Sequence, residues 1–206
     1  MSKKRISDVI IEILANAGID KIYGITGDSL NSVNDSLRRN GKIKFEHVRH
    51  EESAAFAAGA EALLTGKLTV CAGSSGPGNL HLINGLFDCH RNRVPVLAIA
   101  SHIPQSEVGL NYFQETHPEN LFKECSCFCE LVSNPKQMPE ILFRAMNAAV
   151  GNRDVAVIVL PGDVAVMETE VDELPTWHAP KLPRVIPQTE DILEMVQHIN
   201  NGKRIT

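Results

Sequence analysis

Leu68-Thr69-Val70-Cys71-Ala72-Gly73-Ser74-Ser75-Gly76-Pro77-Gly78-Asn79 begins as an apolar run, turns through glycines and a proline, and re-enters a helical pattern. This is a strand, a tight loop and a helix in succession, the repeating unit of a parallel α/β sheet. Working outward, apolar β-rich runs recur at Lys21–Ile25, Ile43–Val48, Val94–Ala100, Ser126–Val132 and Val155–Leu160. Helical spacing lies between them. Ile6, Val9, Ile10, Ile13 and Leu14 recur every three or four residues, and Gly18 follows where a left-handed terminator is expected. Further helical stretches are read from Asp28 or Ser29 to Arg39, then over 51–64, 79–91, 118–123 and 136–150. Parallel neighbours need crossover connections, and strands covered on both faces read as continuous apolar runs. The pattern predicts an α/β fold: a three-layer sandwich with a six-stranded parallel sheet flanked by helices. Ligands of such sheets sit beyond the carboxyl ends of the strands, which places the loops 25–29, 49–52, 73–79 and 101–117 on the ligand side.

Composition narrows the function classes. The chain has 206 residues, 43% hydrophobic and 22% charged, an ordinary globular mixture. Its net charge of -5 and 5% aromatics argue against a nucleic-acid-binding module, which would be basic and rich in stacking platforms. No apolar run approaches the ~18 residues of a membrane span. Five cysteines and no leader pattern predict reduced thiols and a cytoplasmic protein.

The organisation is read as a domain over 1–165, an extended linker over 166–187 with Pro175, Pro180, Pro183 and Pro187, and an amphipathic helix within 188–206 that starts a second domain.

Three local patterns could carry chemistry. Arg49-His50-Glu51-Glu52 stands at a strand-to-helix junction, where a carboxylate is favoured by the helix dipole. That is also the ordinary place for acidic residues. The small-residue helix that follows, Ser53 to Ala60, predicts close packing that would partly desolvate Glu51 and suit it to proton exchange. The loop Gly73–Asn79 could cradle an anion with backbone amides, or could be a tight turn only; it has neither the P-loop lysine nor the dinucleotide glycine spacing. Cys125, Cys127 and Cys129 alternate, so a strand would put them on one face; their neighbours favour buried small residues over a metal site. Of the eight histidines, His81 and His117 fall near the ligand-side loops.

Arg49-His50-Glu51-Glu52-Ser53-Ala54-Ala55-Phe56-Ala57-Ala58-Gly59-Ala60, then Gly76-Pro77-Gly78, Asn84-Gly85-Leu86-Phe87-Asp88 and Phe113-Gln114-Glu115-Thr116, together resemble the pyrimidine-binding domain of thiamine-diphosphate enzymes over about residues 6–180. Phe113-Gln114-Glu115 and Asn79-Leu80-His81-Leu82-Ile83-Asn84-Gly85 are most similar to the pyruvate oxidase and quinone-dependent pyruvate dehydrogenase branch.

The resemblance implies specific roles. Glu51 corresponds to the glutamate that bonds the aminopyrimidine and promotes its imino tautomer. Thr26, Gly27, Ser74, Pro77 and His81 correspond to positions lining the pyrimidine, although Thr26 stands where relatives often have proline. Phe113 and Gln114 correspond to the substrate side. The implied reaction is oxidative decarboxylation of pyruvate to acetate and CO2, with electrons passed through FAD to quinone. The implied partner is the diphosphate-binding domain of a neighbouring subunit in a homo-oligomer. The Gly-Asp pairs here, Gly27-Asp28 and Gly162-Asp163, do not match the family's Mg2+ motif. No metal ligand is therefore assigned. Mg2+ and FAD would be held by domains outside this sequence, and any peripheral membrane contact would come through a C-terminal part also outside it. On this reading the chain is a fragment, inactive alone. The alternatives are acetolactate synthase or another 2-oxo-acid-decarboxylating relative, and a stand-alone, non-catalytic α/β module.

Overall fold

The structure is a computed structural model and describes residues 2–171 and 173–204. Strand β1 (Ser2–Arg5) leads into helix α1 (Ile6–Asn16), whose stripe of Ile6, Val9, Ile10, Ile13 and Leu14 is fully buried. Gly18 ends it at φ +84°, a backbone that residues with a Cβ rarely adopt. β2 (Lys21–Gly24), α2 (Asn31–Asn40), β3 (Lys44–His47), α3 (Glu51–Thr65), β4 (Thr69–Gly73), α4 (Pro77–Arg91) and β5 (Val96–His102) follow in strict alternation. α5 (Pro118–Leu121), β6 (Phe128–Leu131), α6 (Met138–Asn152), β7 (Val155–Pro161), α7 (Gly162–Val166), β8 (Glu168–Val171) and α8 (Thr189–Asn201) complete the order.

The predicted sandwich is present. Six strands pair in parallel in the order β3-β2-β4-β5-β7-β6. Period-two alternation splits the central strands between two cores. Leu97, Ile99, Ala156, Ile158 and Leu160 face α1, α2 and α6, whereas Val96, Ala98, Ala100, Val155, Val157 and Val159 face α3 and α4.

Several local expectations differ. Asp28 and Ser29 do not cap α2. Asp28–Leu30 form a 3-10 turn in which the Ser29 amide donates to Asp28 Oδ1, and the helix begins at Asn31. α4 begins two residues earlier than read, with Pro77 at its first turn, where a missing N–H costs nothing. The three cysteines do not share a strand face. β6 starts only at Phe128, and Cys125 is held before it in a turn by its amide's bond to the Phe122 carbonyl; Cys125 is buried and Cys127 exposed. The proline-containing segment is not extended coil throughout. β8 pairs antiparallel with β1, Arg5 opposite Glu168, and Trp177 is buried with its Nε1 donating to Asn147 Oδ1 at 2.9 Å.

Candidate active site

β3 ends at His47, and the chain turns into α3 at His50. His50 is the N-cap. Its backbone is extended, and its Nδ1 accepts from the Glu52 amide at 3.3 Å. Glu51 is therefore the first helical residue, at the positive end of a fifteen-residue helix that favours its carboxylate. It is also 7% exposed, so the desolvation expected from its small-residue helix is realised.

The close packing has a specific source. Ala54, Ala55, Ala58 and Ala62 of α3 meet α4, and a Cβ at Gly85 would lie 2.6 Å from Ala55 Cβ and 2.8 Å from the Glu52 carbonyl oxygen. A Cβ at Gly59 would lie 2.6 Å from Cys89 Sγ. The two helices can approach this closely only with glycine at those points. Gly78, His81 and Gly85 lie on one stripe of α4, because residues three and four apart share a helix face. Gly85 thus brings the neighbouring His81 onto Glu51.

The two carboxylate oxygens of Glu51 have different surroundings. Oε2 lies 3.1 Å from His81 Nδ1. Oε1 faces Gly78, where a Cβ would come within 3.1 Å of it and 2.8 Å of Ser74 Oγ. His81 stacks on His50 with ring centroids 4.3 Å apart and a 25° tilt.

The loops after β2, β4 and β5 are knitted together beside this pair. Gly27 abuts Ser74, where a Cβ would lie 2.6 Å from the Ser74 Cβ. The Ser75 amide donates to Ser29 Oγ at 2.9 Å, and Ser101 Oγ donates to the Ser29 carbonyl at 2.7 Å. Gly76 has φ +68°, and its Cα faces the Gln114 backbone so closely that a Cβ would lie 2.9 Å from the Gln114 oxygen. Ser75 Oγ donates to Gln114 Oε1 at 3.3 Å. Asn79 anchors the start of α4 by donating to the Ser101 carbonyl at 2.7 Å, and its buried Oδ1 has no partner among the described residues.

The structure thus gathers Glu51, His81, Ser74, Gly27, Pro77 and Gln114 around the glycine-rich loop. It does not gather the other two predicted residues. Phe113 is 81% exposed and its ring lies against Tyr112, centroids 4.9 Å apart. Thr26 lines a cleft shared with Asn34, Leu37 and Phe45. His50 and Gly78 were missed as site residues, although both lie in the quoted motifs. Their signal was adjacency to Glu51 along the chain and across the helix pair, which one-dimensional spacing does not weigh.

Glu51 is buried at the back of a ledge formed by the N-terminal ends of α3 and α4. A half-open cleft of about 360 Å³ beside the loop is lined by Ser29, Ser75, His102, Tyr112, Gln114 and Asp163. His102 is buried there, and loss of solvent pulls its pKa below the ordinary value.

The group suits one half of a cofactor. A ledge with one free carboxylate oxygen, glycines where any Cβ would intrude and a knitted loop fits a flat, hydrogen-bonding heterocycle such as an aminopyrimidine. It does not fit a diphosphate-bound metal. Among the described residues the one compact set of three metal-capable side chains is His50, Glu51 and His81, with ligand atoms within 4.8 Å. That set contains two nitrogens, whereas Mg2+ demands oxygens.

Residues 4–121 match the family model of the thiamine pyrophosphate enzyme N-terminal TPP binding domain. The chain belongs to this family. As such an N-terminal domain it is 58% identical, over all of its length, to an uncharacterized 42.6 kDa protein of Pseudomonas amyloderamosa, of which it covers 52%. It is 32% identical to pyruvate oxidase of Lactiplantibacillus plantarum, over 95% of this chain and 33% of that protein. It is 35% identical to acetolactate synthase of Arthrospira platensis, over 81% of this chain and 29% of that protein. The chain therefore spans between about a third and a half of the relatives it matches.

Proposed function

We propose that this TPP-binding domain is the pyrimidine-holding part of a thiamine-diphosphate- and FAD-dependent oxidoreductase that converts pyruvate to acetate and CO2 and delivers the electrons to quinone. The observation that carries the reading is Glu51: buried at the head of α3, with Oε2 against His81 and Oε1 turned to Gly78, where no side chain intrudes. Thiamine diphosphate supplies the carbon nucleophile and electron sink for decarboxylating a 2-oxo acid. Glu51 Oε1 would hold and exchange a proton at a ring nitrogen of the pyrimidine. Gly27, Ser74 and Pro77 would seat the ring, and Gln114 would approach the substrate. Phe113, exposed in this chain, would meet substrate only when a second domain covers it.

Mg2+ and FAD would be held by other domains, the first on a neighbouring subunit of a cytoplasmic homo-oligomer. The exposure of Ile192, Val196 and Ile199 along α8 supports residues 188–206 as the start of a further domain that packs on them. The acetolactate synthase reading draws on the same ledge and on the relative of that name. The segment Phe113-Gln114-Glu115 favours the oxidase.

The test is Glu51→Gln in the full-length enzyme. Turnover of pyruvate with a quinone acceptor should fall by ~10²-fold or more while the domain stays folded, because an amide keeps the size but cannot exchange the proton. Near-normal turnover would refute the role. For this chain alone, a few pyrimidine hydrogen bonds of roughly 0.5–1.5 kcal/mol each leave binding on the order of millimolar once association entropy is met. Calorimetric titration with thiamine diphosphate and Mg2+ checks this, and micromolar, metal-dependent binding would reveal a diphosphate site in this chain.

A further inference from the structure

Glu51 has a proton to exchange and little contact with water. Its side chain is 9% exposed, and the loop Gly73–Asn79 walls one of its oxygens. The other oxygen meets a single polar group, His81 Nδ1 at 3.1 Å. That ring is 47% exposed, and its Nε2 has no hydrogen-bond partner among the described residues. Stacking on His50 fixes the ring plane, and His50 is itself held by its cap bond to the Glu52 amide. A titratable ring therefore links a buried carboxylate to solvent, with one nitrogen on each side.

We propose that His81 is the proton relay between Glu51 and bulk water, a positioning residue that acts through Glu51 rather than on substrate. This rests on the functional reading of Glu51 above. With Glu51 ionised, His81 carries its proton on Nδ1 and donates it to Oε2. To protonate Glu51, water delivers a proton to Nε2 and the Nδ1 proton passes to Oε2, leaving the Nε2–H tautomer. To deprotonate it, the carboxyl proton moves to Nδ1 and the Nε2 proton leaves to water. Each passage moves one proton and leaves the ring neutral, as an imidazole with two nitrogens can. The need for the relay grows once another domain covers the ledge and water loses any direct path to Glu51.

Two experiments test this. In this chain at pH 8, ring 15N NMR should place the His81 proton on Nδ1, and Glu51→Gln should shift it toward Nε2; a wild-type ring with its proton on Nε2 would overturn the contact on which the relay depends. In the full-length enzyme, His81→Gln retains an amide donor for Oε2 but cannot carry a proton. It should lower turnover roughly tenfold or more at pH 7 with KM for the 2-oxo acid nearly unchanged, and added imidazole should restore most of the loss. Glu51→Gln should lose activity that imidazole does not restore. Wild-type turnover in His81→Gln, or a loss that imidazole leaves untouched, would overturn the relay while Glu51 kept its role. Near-normal turnover in Glu51→Gln would overturn the functional reading itself.

Discussion

The two faces of the central sheet differ in how their helices meet. Under α1, α2 and α6 the core is aliphatic and bulky: Ile6, Ile10, Ile11, Ile13, Leu14, Leu97 and Ile99 are all fully buried. Under α3 and α4 the sheet is covered by Leu82, Leu86, Phe122 and the valines of β5 and β7, but the contact between the two helices is made of small residues, Ala54, Ala55, Ala58, Ala62 and Cys89, with Gly59 and Gly85 where the helices come closest. The first face stabilises the domain by area removed from water. The second removes less area per residue and gains close approach, and the approach is what sets His81 against Glu51. Stability and chemistry are thus served by opposite sides of one sheet.

Four measurements would break or sharpen this contrast. Ile10→Ala on the aliphatic face should cost about 2–5 kcal/mol in denaturant unfolding, through lost burial and a cavity, and should leave the His81 ring 15N signals in place. Gly85→Ala should cost less, about 1–3 kcal/mol by overpacking, yet should move those signals, because the added methyl must push α4 away from Ala55 and the Glu52 carbonyl. If Ile10→Ala moved the His81 signals and Gly85→Ala did not, the division of labour would be reversed.

The third measurement concerns pH. His102 continues the β5 register of Val96, Ala98 and Ala100 toward the α3–α4 side. Its folded pKa lies below the ordinary value through burial, so the unfolded chain takes up a proton first. Stability should therefore fall as pH drops below about 6.5, no more steeply from this group than about 1.4 kcal/mol per pH unit, and level off below the folded pKa. His102→Gln should flatten that segment of a plot of unfolding free energy against pH; an unchanged slope would assign it to another group.

The smallest effect concerns thiols. Burial pushes Cys89 and Cys129 up to about 12 and Cys125 up to about 11, and raises Cys71 as well. A disulfide reagent at pH 8 should label exposed Cys127 first and reach the buried thiols only on unfolding, which mass spectrometry of the labelled chain would read directly. Early labelling of Cys71 or Cys89 would mean that the small-residue face opens more readily than its packing implies.

Much of this was legible along the chain. Alternation of apolar runs with 3.6-residue periodicity, punctuated by Gly18, Gly41 and Gly66, specifies a parallel α/β sandwich, because crossover geometry leaves few other ways to bury strands such as Val155–Leu160 on both faces. Glu51 was legible as well, since a carboxylate before an alanine-rich helix combines two local signals. What lay hidden depended on partners distant in sequence. β1 carries no apolar pattern, and only its pairing with β8 makes it a strand. The exposure of Phe113 and the cleft that Thr26 lines depend on which way a loop presents them, and spacing along the chain says nothing about that. The sequence by itself determined the layers and the carboxylate, because periodicity and helix-end chemistry act over a few residues. Only the tertiary structure decided that His81 meets Glu51, thirty residues away, because that contact exists only where Gly85 and Ala55 let two helices close to within a methyl group's width.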